Sequence, residues 1–227
     1  MTIIAFPYAG GNRYSYDFLK PYLNGDIEIE VFENRGRGKR ILEEPLESVD
    51  AIIEDLWISM TPLIRKKKTY CLYGHSMGAL IALLVCHKIQ ENGLDKPMRL
   101  VVSGKKSPRL QEEKKIWKYP SQEFWEELIL LGGIHKEIED EIQLRDFFEP
   151  IIKADIKAIE EYSFTKSKQL DIPIDVLYGD EELENENDFL DWNKETTNIV
   201  NFYPFTGNHF FINGHAQSVA NHFIRKL

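Results

Sequence analysis

A serine hydroxyl becomes a useful nucleophile only when a turn exposes it, a base takes its proton and an acid orients that base. Residues Gly74-His75-Ser76-Met77-Gly78 supply the first of these parts. They follow a short apolar run and precede Ala-Leu-Ile-Ala-Leu-Leu-Val. A Gly-x-Ser-x-Gly motif at such a strand-to-helix turn makes a nucleophile elbow. The turn strains the serine backbone and leaves no room for a side chain beside it, which accounts for Gly74 and Gly78. Ser76 is therefore the candidate nucleophile, exposed at the carboxyl edge of a sheet.

The chain has six histidines from which to draw a base. His75 lies inside the elbow and is expected to point away from the serine. His87 and His222 fall on helical patterns, His135 in a helical stretch, and His215 at the start of the last helix. Only His209 sits in a loop after a strand and before the terminal helix, in the chain order serine, acid, histidine. The acid is expected in a strand-end loop before it, and Gly179-Asp180-Glu181-Glu182 is the acidic loop so placed. Asp180 and Glu182 both remain candidates, ahead of Glu181. Two backbone N–H groups complete an oxyanion hole: that of Met77, at the start of the helix, and that of Tyr8 or Ala9 in the loop at 7–11, where Gly10 and Gly11 let the backbone bend close.

Alternating elements must hold these groups. Apolar, β-rich runs at 2–7, 27–32, 69–73, 98–103, 174–178 and 199–204 read as strands. Apolar residues at helical spacing over 46–64 and 77–92 read as helices, the first ending on basic residues 65–68 and the second on Gly93. The spacing also predicts a short helix near 187–194 and a terminal one over 217–226. Between the fourth and fifth strands the alternation breaks. Helices are predicted over 121–131, 137–148 and 151–163, punctuated by Gly132-Gly133 and Pro150. The fold class is α/β: a mainly parallel sheet covered by helices on both faces, with chemistry at the carboxyl ends of its strands. One domain is expected over 1–227, with a helical lid inserted at about 115–165.

Composition sets outer limits. The net charge of −9 disfavours nucleic acid and anionic membrane surfaces as partners. No apolar run approaches the roughly 20 residues that span a bilayer. The opening residues lack a basic n-region and read as a strand, so a cytoplasmic location is expected. Cys71 and Cys86 read as small buried apolar residues. No ligand cluster calls for a metal or an organic cofactor.

Six segments in order carry a resemblance: Phe6-Pro7-Tyr8-Ala9-Gly10-Gly11, Arg35-Gly36-Arg37-Gly38, the elbow, Ser103-Gly104-Lys105 with Pro108, Leu131-Gly132-Gly133, and Gly207-Asn208-His209-Phe210-Phe211. Together they resemble the type II thioesterases that accompany nonribosomal peptide and polyketide synthetases. That resemblance implies an α/β-hydrolase fold with a helical lid. It also implies hydrolysis of acyl thioesters, clearing stalled or wrong acyl groups from the phosphopantetheine arm of acyl or peptidyl carrier proteins. The chain departs from the family at Arg35, where proline is usual, and in the acid. The family's aspartate register falls on Glu182, which favours Glu182 over Asp180. A monomer is expected. The rival reading is a general small-molecule serine esterase on the same fold. Two further expectations concern the surroundings. Basic residues Arg35, Arg37, Lys39, Arg40, Lys105, Lys106 and Arg109 should gather positive charge at the site's mouth. Some of the lid residues Phe124, Trp125, Leu128, Ile129, Leu131, Ile134, Phe147, Phe148 and Ile151 should line an acyl pocket, with Gly132-Gly133 permitting a bend or hinge.

Overall fold

Six strands make one sheet in the computed structural model, which describes residues 1–67, 69–110, 114–134, 136–183 and 188–224. They are β1 (Thr2–Phe6), β2 (Glu28–Val31), β3 (Tyr70–His75), β4 (Leu100–Ser103), β5 (Ile174–Gly179) and β6 (Val200–Phe205), in the order β2-β1-β3-β4-β5-β6. Every neighbouring pair is parallel. The order reverses between β1 and β3, which opens a crevice at their carboxyl ends. Phe6 pairs with Gly74 there, so the loop after β1 lies beside the elbow after β3.

Alternation along the strands feeds two cores. Ile4, Phe6, Tyr70 and Leu72 face α1 (Val49–Lys66) and α2 (Met77–Glu91). Ile3, Ala5, Cys71 and Tyr73 face the other way, onto Leu19 and onto α6 (Phe211–Gly214) and α7 (Ala216–Ile224). Ser48 caps α1 by accepting from the Ala51 N–H at 3.2 Å. Helix α2 is buried on nearly every side, so it has no polar face and reads as apolar all round. Cys71 and Cys86 are unpaired and buried, and burial raises the Cys71 thiol to about 12.

The insertion between β4 and β5 holds α3 (Ser121–Leu131), α4 (Lys136–Asp140) and α5 (Ile142–Glu161). The sequence-based boundary at Pro150 is corrected: Pro150 lies inside α5, and the break falls at Glu141. An interior proline costs a helix about 3 kcal/mol. Here tertiary contacts on both sides of it outweigh that cost. Glu149 accepts from Trp125 Nε1 on α3 at 2.9 Å, and Ile151, Ile152, Ala154, Asp155 and Ala158 form a buried stripe. The expected helix ends at Lys68, Asn187 and Lys226, and His135, lie outside the described residues. Among the described residues no helix is long and apolar enough to cross a membrane.

Candidate active site

Ser76 has φ 55° and ψ −118°, the one positive φ outside glycine among the described residues. The strain is held by close contacts on both sides. A Cβ on Gly74 would lie 2.0 Å from the Gly78 carbonyl oxygen, and one on Gly78 would lie 1.9 Å from the Phe6 oxygen. Neither position tolerates any residue but glycine. The Ser76 N–H donates to Ser103 O at 2.8 Å, which ties the turn to β4. Ser76 is partly exposed, while its neighbours His75 and Met77 are buried.

Two loops from the far half of the sheet bring the remaining groups. Gly179 pairs with Phe205, so the loops after β5 and β6 leave the sheet side by side. They interlock: Glu181 N–H donates to Gly207 O at 3.1 Å and Gly207 N–H to Asp180 Oδ1 at 2.9 Å. His209 Nδ1 lies 2.6 Å from Glu182 Oε1. The other oxygen, Oε2, accepts from the Gly179 N–H at 2.9 Å. Of the two acids left open by the residues alone, Glu182 therefore touches His209 and Asp180 braces the loop. Ser76, His209 and Glu182 all line one cleft of about 560 Å³, together with Met77 and Leu131.

The remaining predicted donors fall where the topology puts them. Met77 opens α2, and a first-turn amide has no acceptor within its own helix. Tyr8 and Ala9 lie on the loop after β1, in a turn closed by Gly11 N–H to Tyr8 O at 2.8 Å. Gly10 has φ 75°, the left-handed backbone that the third residue of a type II turn requires.

The thioesterase domain model matches residues 1–227. The chain belongs to the thioesterase family. Solved structures from biosynthetic pathways match over nearly the whole chain. RedJ, a thioesterase from the prodiginine biosynthetic pathway in Streptomyces coelicolor, matches with a TM-score of 0.93 at 26% identity, over 100% of this chain and 90% of its own. ClbQ, from the colibactin NRPS/PKS pathway, matches with a TM-score of 0.91 at 29% identity, over 99% of this chain and 95% of its own. Among curated relatives, the gramicidin S biosynthesis protein GrsT of Aneurinibacillus migulanus is 25% identical, over 93% of this chain and 83% of its own length.

In this thioesterase, His75 points back into the core, as the elbow geometry led one to expect. Its Nδ1 lies 3.0 Å from Ser103 Oγ, and its ring packs 4.9 Å from that of His209. Burial first, and then the charge on His209, hold the His75 imidazole well below its ordinary range, so it is neutral at neutral pH. An uncharged ring can sit behind His209 without repelling the imidazolium that general-base catalysis creates there.

Two expectations about the surroundings hold only in part: Lys105 and Lys106 do line the cleft beside Ser76, but the arginines are engaged elsewhere. The arginines of the loop after β2 are spent on acids. Arg35 and Arg40 pair with Asp55 at 2.5 and 2.6 Å, Arg37 pairs with Asp155, and beyond β4 Arg109 pairs with Glu195 at 2.6 Å and Lys106 with Asp188 at 3.0 Å. Arg35 thus ties its loop to α1. The second correction concerns the lid. Phe124, Trp125 and Leu128 form a small core of their own with Ile116 and Ile152, because a helix pair carried away from the sheet must bury its own apolar faces. Of the expected lid residues Leu131 lines the cleft, and it is joined there by Leu130, Ile116, Ile156 and Ile159. Gly132 makes the bend that ends α3, with φ 82°, and both Gly132 and Gly133 are also packing positions. A Cβ on Gly133 would lie 2.1 Å from Phe210 Cε2, and one on Gly132 would lie 2.6 Å from Asn208 Nδ2. The end of α3 thus rests on the loop that carries His209.

One functional contact was missed from the sequence: Asp155 accepts from the Gly10 N–H at 2.8 Å. Its signal is an aspartate on the apolar stripe of α5, 1% exposed, where a charge is tolerated only if paired.

Proposed function

We propose that this single-domain thioesterase is a type II editing enzyme. It hydrolyses acyl or aminoacyl groups from the phosphopantetheine arm of carrier proteins in nonribosomal peptide, polyketide or fatty acid synthesis, and so removes stalled or incorrect groups. It acts as a monomer in the cytoplasm. The observation that carries the reading is the 2.6 Å contact of His209 with Glu182 in the cleft that Ser76 enters on a strained turn.

The geometry supports a two-step acyl transfer. His209, its Nδ1–H held by Glu182, takes the Ser76 proton as Oγ attacks the thioester carbonyl. The oxyanion is met by the Met77 N–H and by Tyr8 or Ala9. As the C–S bond breaks, His209 returns the proton to the departing thiol, leaving Ser76 acylated. Water, deprotonated by the same histidine, attacks the ester and releases the acid with Ser76 restored. The helical insertion lines one wall of the cleft through Leu130 and Leu131, past which the arm must enter.

The rival small-molecule esterase would use the same residues. Rates on acyl-carrier thioesters and on oxygen esters of the same acid separate the two. An editing thioesterase prefers the carrier substrate in kcat/KM, and a preference for the free ester overturns the proposal.

A further inference from the structure

Helix α5 belongs by sequence to the insertion, yet its middle is fastened to the loop after β1. Asp155 Oδ2 accepts from the Gly10 N–H at 2.8 Å and from Arg37 Nη1 at 2.5 Å, and Oδ1 accepts from Arg37 Nη2 at 2.8 Å. Arg37 Nη1 also reaches the Gly11 carbonyl at 3.3 Å, and its Nε donates to Arg35 O at 3.1 Å. The pair therefore grips the loop by the N–H of one residue and the C=O of the next. Both side chains are buried, Arg37 at 4% and Asp155 at 1% exposure. One turn earlier on α5, Ile152 lies where a Cβ on Gly10 would be 2.9 Å away, so the missing side chain lets the loop settle against the helix.

This loop is the one whose backbone is placed to meet the oxyanion. Pro7 has no N–H. In the turn, the Gly10 N–H goes to Asp155 and the Gly11 N–H to Tyr8 O. The N–H groups of the loop left to meet an oxyanion are those of Tyr8 and Ala9, the second directly before the gripped Gly10. A type II turn differs from type I chiefly by rotation of its central peptide, here Ala9–Gly10. A carboxylate on the Gly10 N–H holds one setting, since the rotated peptide would turn the Ala9 carbonyl toward a negative charge. Arg37 has a second task. An uncompensated carboxylate this close would oppose the developing oxyanion, and the bidentate guanidinium cancels it.

We propose that the buried Arg37–Asp155 pair is a positioning device for the oxyanion loop, so that α5 belongs to the fixed catalytic frame and only the part of the insertion before it is free to open. The inference rests on the thioesterase reading above. A purely structural ion pair makes a different prediction. Replacing a buried pair by apolar residues of similar volume is often neutral or stabilising, and would leave catalysis alone.

Two variants test this with a soluble acyl-thiol substrate. Asp155→Asn leaves Arg37 as an unpaired buried cation and could fail to fold. The pair Arg37→Met with Asp155→Leu removes both charges at similar volume and keeps the fold, checked by near-ultraviolet dichroism and melting. In the folded variants kcat is expected to fall about 10²-fold, the scale of a small misplacement of catalytic groups, with KM within about threefold. Affinity for a trifluoromethyl ketone, whose adduct carries an oxyanion, should fall by the factor lost in kcat/KM. The pH dependence of kcat/KM should keep its midpoint. A folded double variant with kcat within about threefold of wild type, or equal loss through KM alone, overturns the inference. If the wild-type chain fails to hydrolyse acyl thioesters, it is the thioesterase reading that falls instead.

Discussion

Replacing Glu182 by glutamine changes one oxygen to an NH2 group and almost no volume, and the structure says what that must do. Both carboxylate oxygens are in use, Oε1 on His209 Nδ1 at 2.6 Å and Oε2 on the Gly179 N–H at 2.9 Å. If the glutamine oxygen faces His209, its NH2 meets the Gly179 N–H, donor against donor. In the other orientation the NH2 donates to Nδ1 and forces the ring proton onto Nε2, the atom that must accept the serine's proton. The first orientation costs about 1–3 kcal/mol of stability for an unmet buried donor. The second costs activity, and the corresponding change in a well-studied Ser-His-Asp triad lowers kcat by about 10⁴. We expect Glu182→Gln to lose about 10²- to 10⁴-fold in kcat. Asp180→Asn should stay within about fivefold, since an amide oxygen can still accept from the Gly207 N–H. Steady-state hydrolysis of an acyl-thiol, with melting curves for each variant, reads both numbers. Glu182→Gln above a tenth of wild-type kcat, or Asp180→Asn as the slower variant, would refute the reasoning.

Other expectations follow from contacts described above. Leu131→Trp, at the cleft wall, should shift preference toward shorter acyl groups by roughly tenfold, and an unchanged chain-length profile counts against Leu131 as a pocket residue. Gly133→Ala must displace the Phe210 ring, which packs 5.2 Å from that of His209, so kcat should drop by about tenfold or more; full activity would mean that the α3 end and the histidine loop move independently. Stability should fall as pH drops from about 6.5 toward 4. Burial lowers His87 from 6.5 to about 4, so through that window the unfolded chain binds a proton that the folded chain refuses, and stability present above 6.5 is lost. His87→Leu should narrow the gap between melting temperatures at about pH 7 and about pH 4.5, and an unchanged gap would contradict the assignment.

Local pattern carried much of this protein. All six strands fall on the predicted runs to within a residue or two at their ends, and the elbow was legible because its two glycines and apolar flanks are contiguous in sequence. His209 stood out by its position after the last strand. The choice between Asp180 and Glu182 was not legible from the residues alone, since both sit on one short 3₁₀ turn and differ only in which neighbour they reach. Motif register favoured Glu182, the acid that the structure puts against His209. Long-range partners were invisible. Arg37 and Asp155 are 118 residues apart, and a basic loop read alone looks like a patch for ligands when every arginine in it already has an acid. Pro150 misled for a related reason: the cost of an interior proline is local, while the contacts that outweigh it come from α3 and the core. At Gly132-Gly133 glycine serves both for freedom and for close approach: Gly132 makes the left-handed bend, and only the distance to Phe210 shows that Gly133 is there for packing.

The central claim is that Ser76 takes the acyl group from a carrier-borne thioester. Rapid-quench mass spectrometry of an acylated carrier protein mixed with this thioesterase reads both partners at once. The account predicts that the carrier loses the acyl mass and regains a free thiol, that the peptide containing Ser76 transiently gains that mass, and that Ser76→Ala abolishes both changes. A carrier that keeps its acyl group, or one cleared as fast by Ser76→Ala as by wild type, would contradict it.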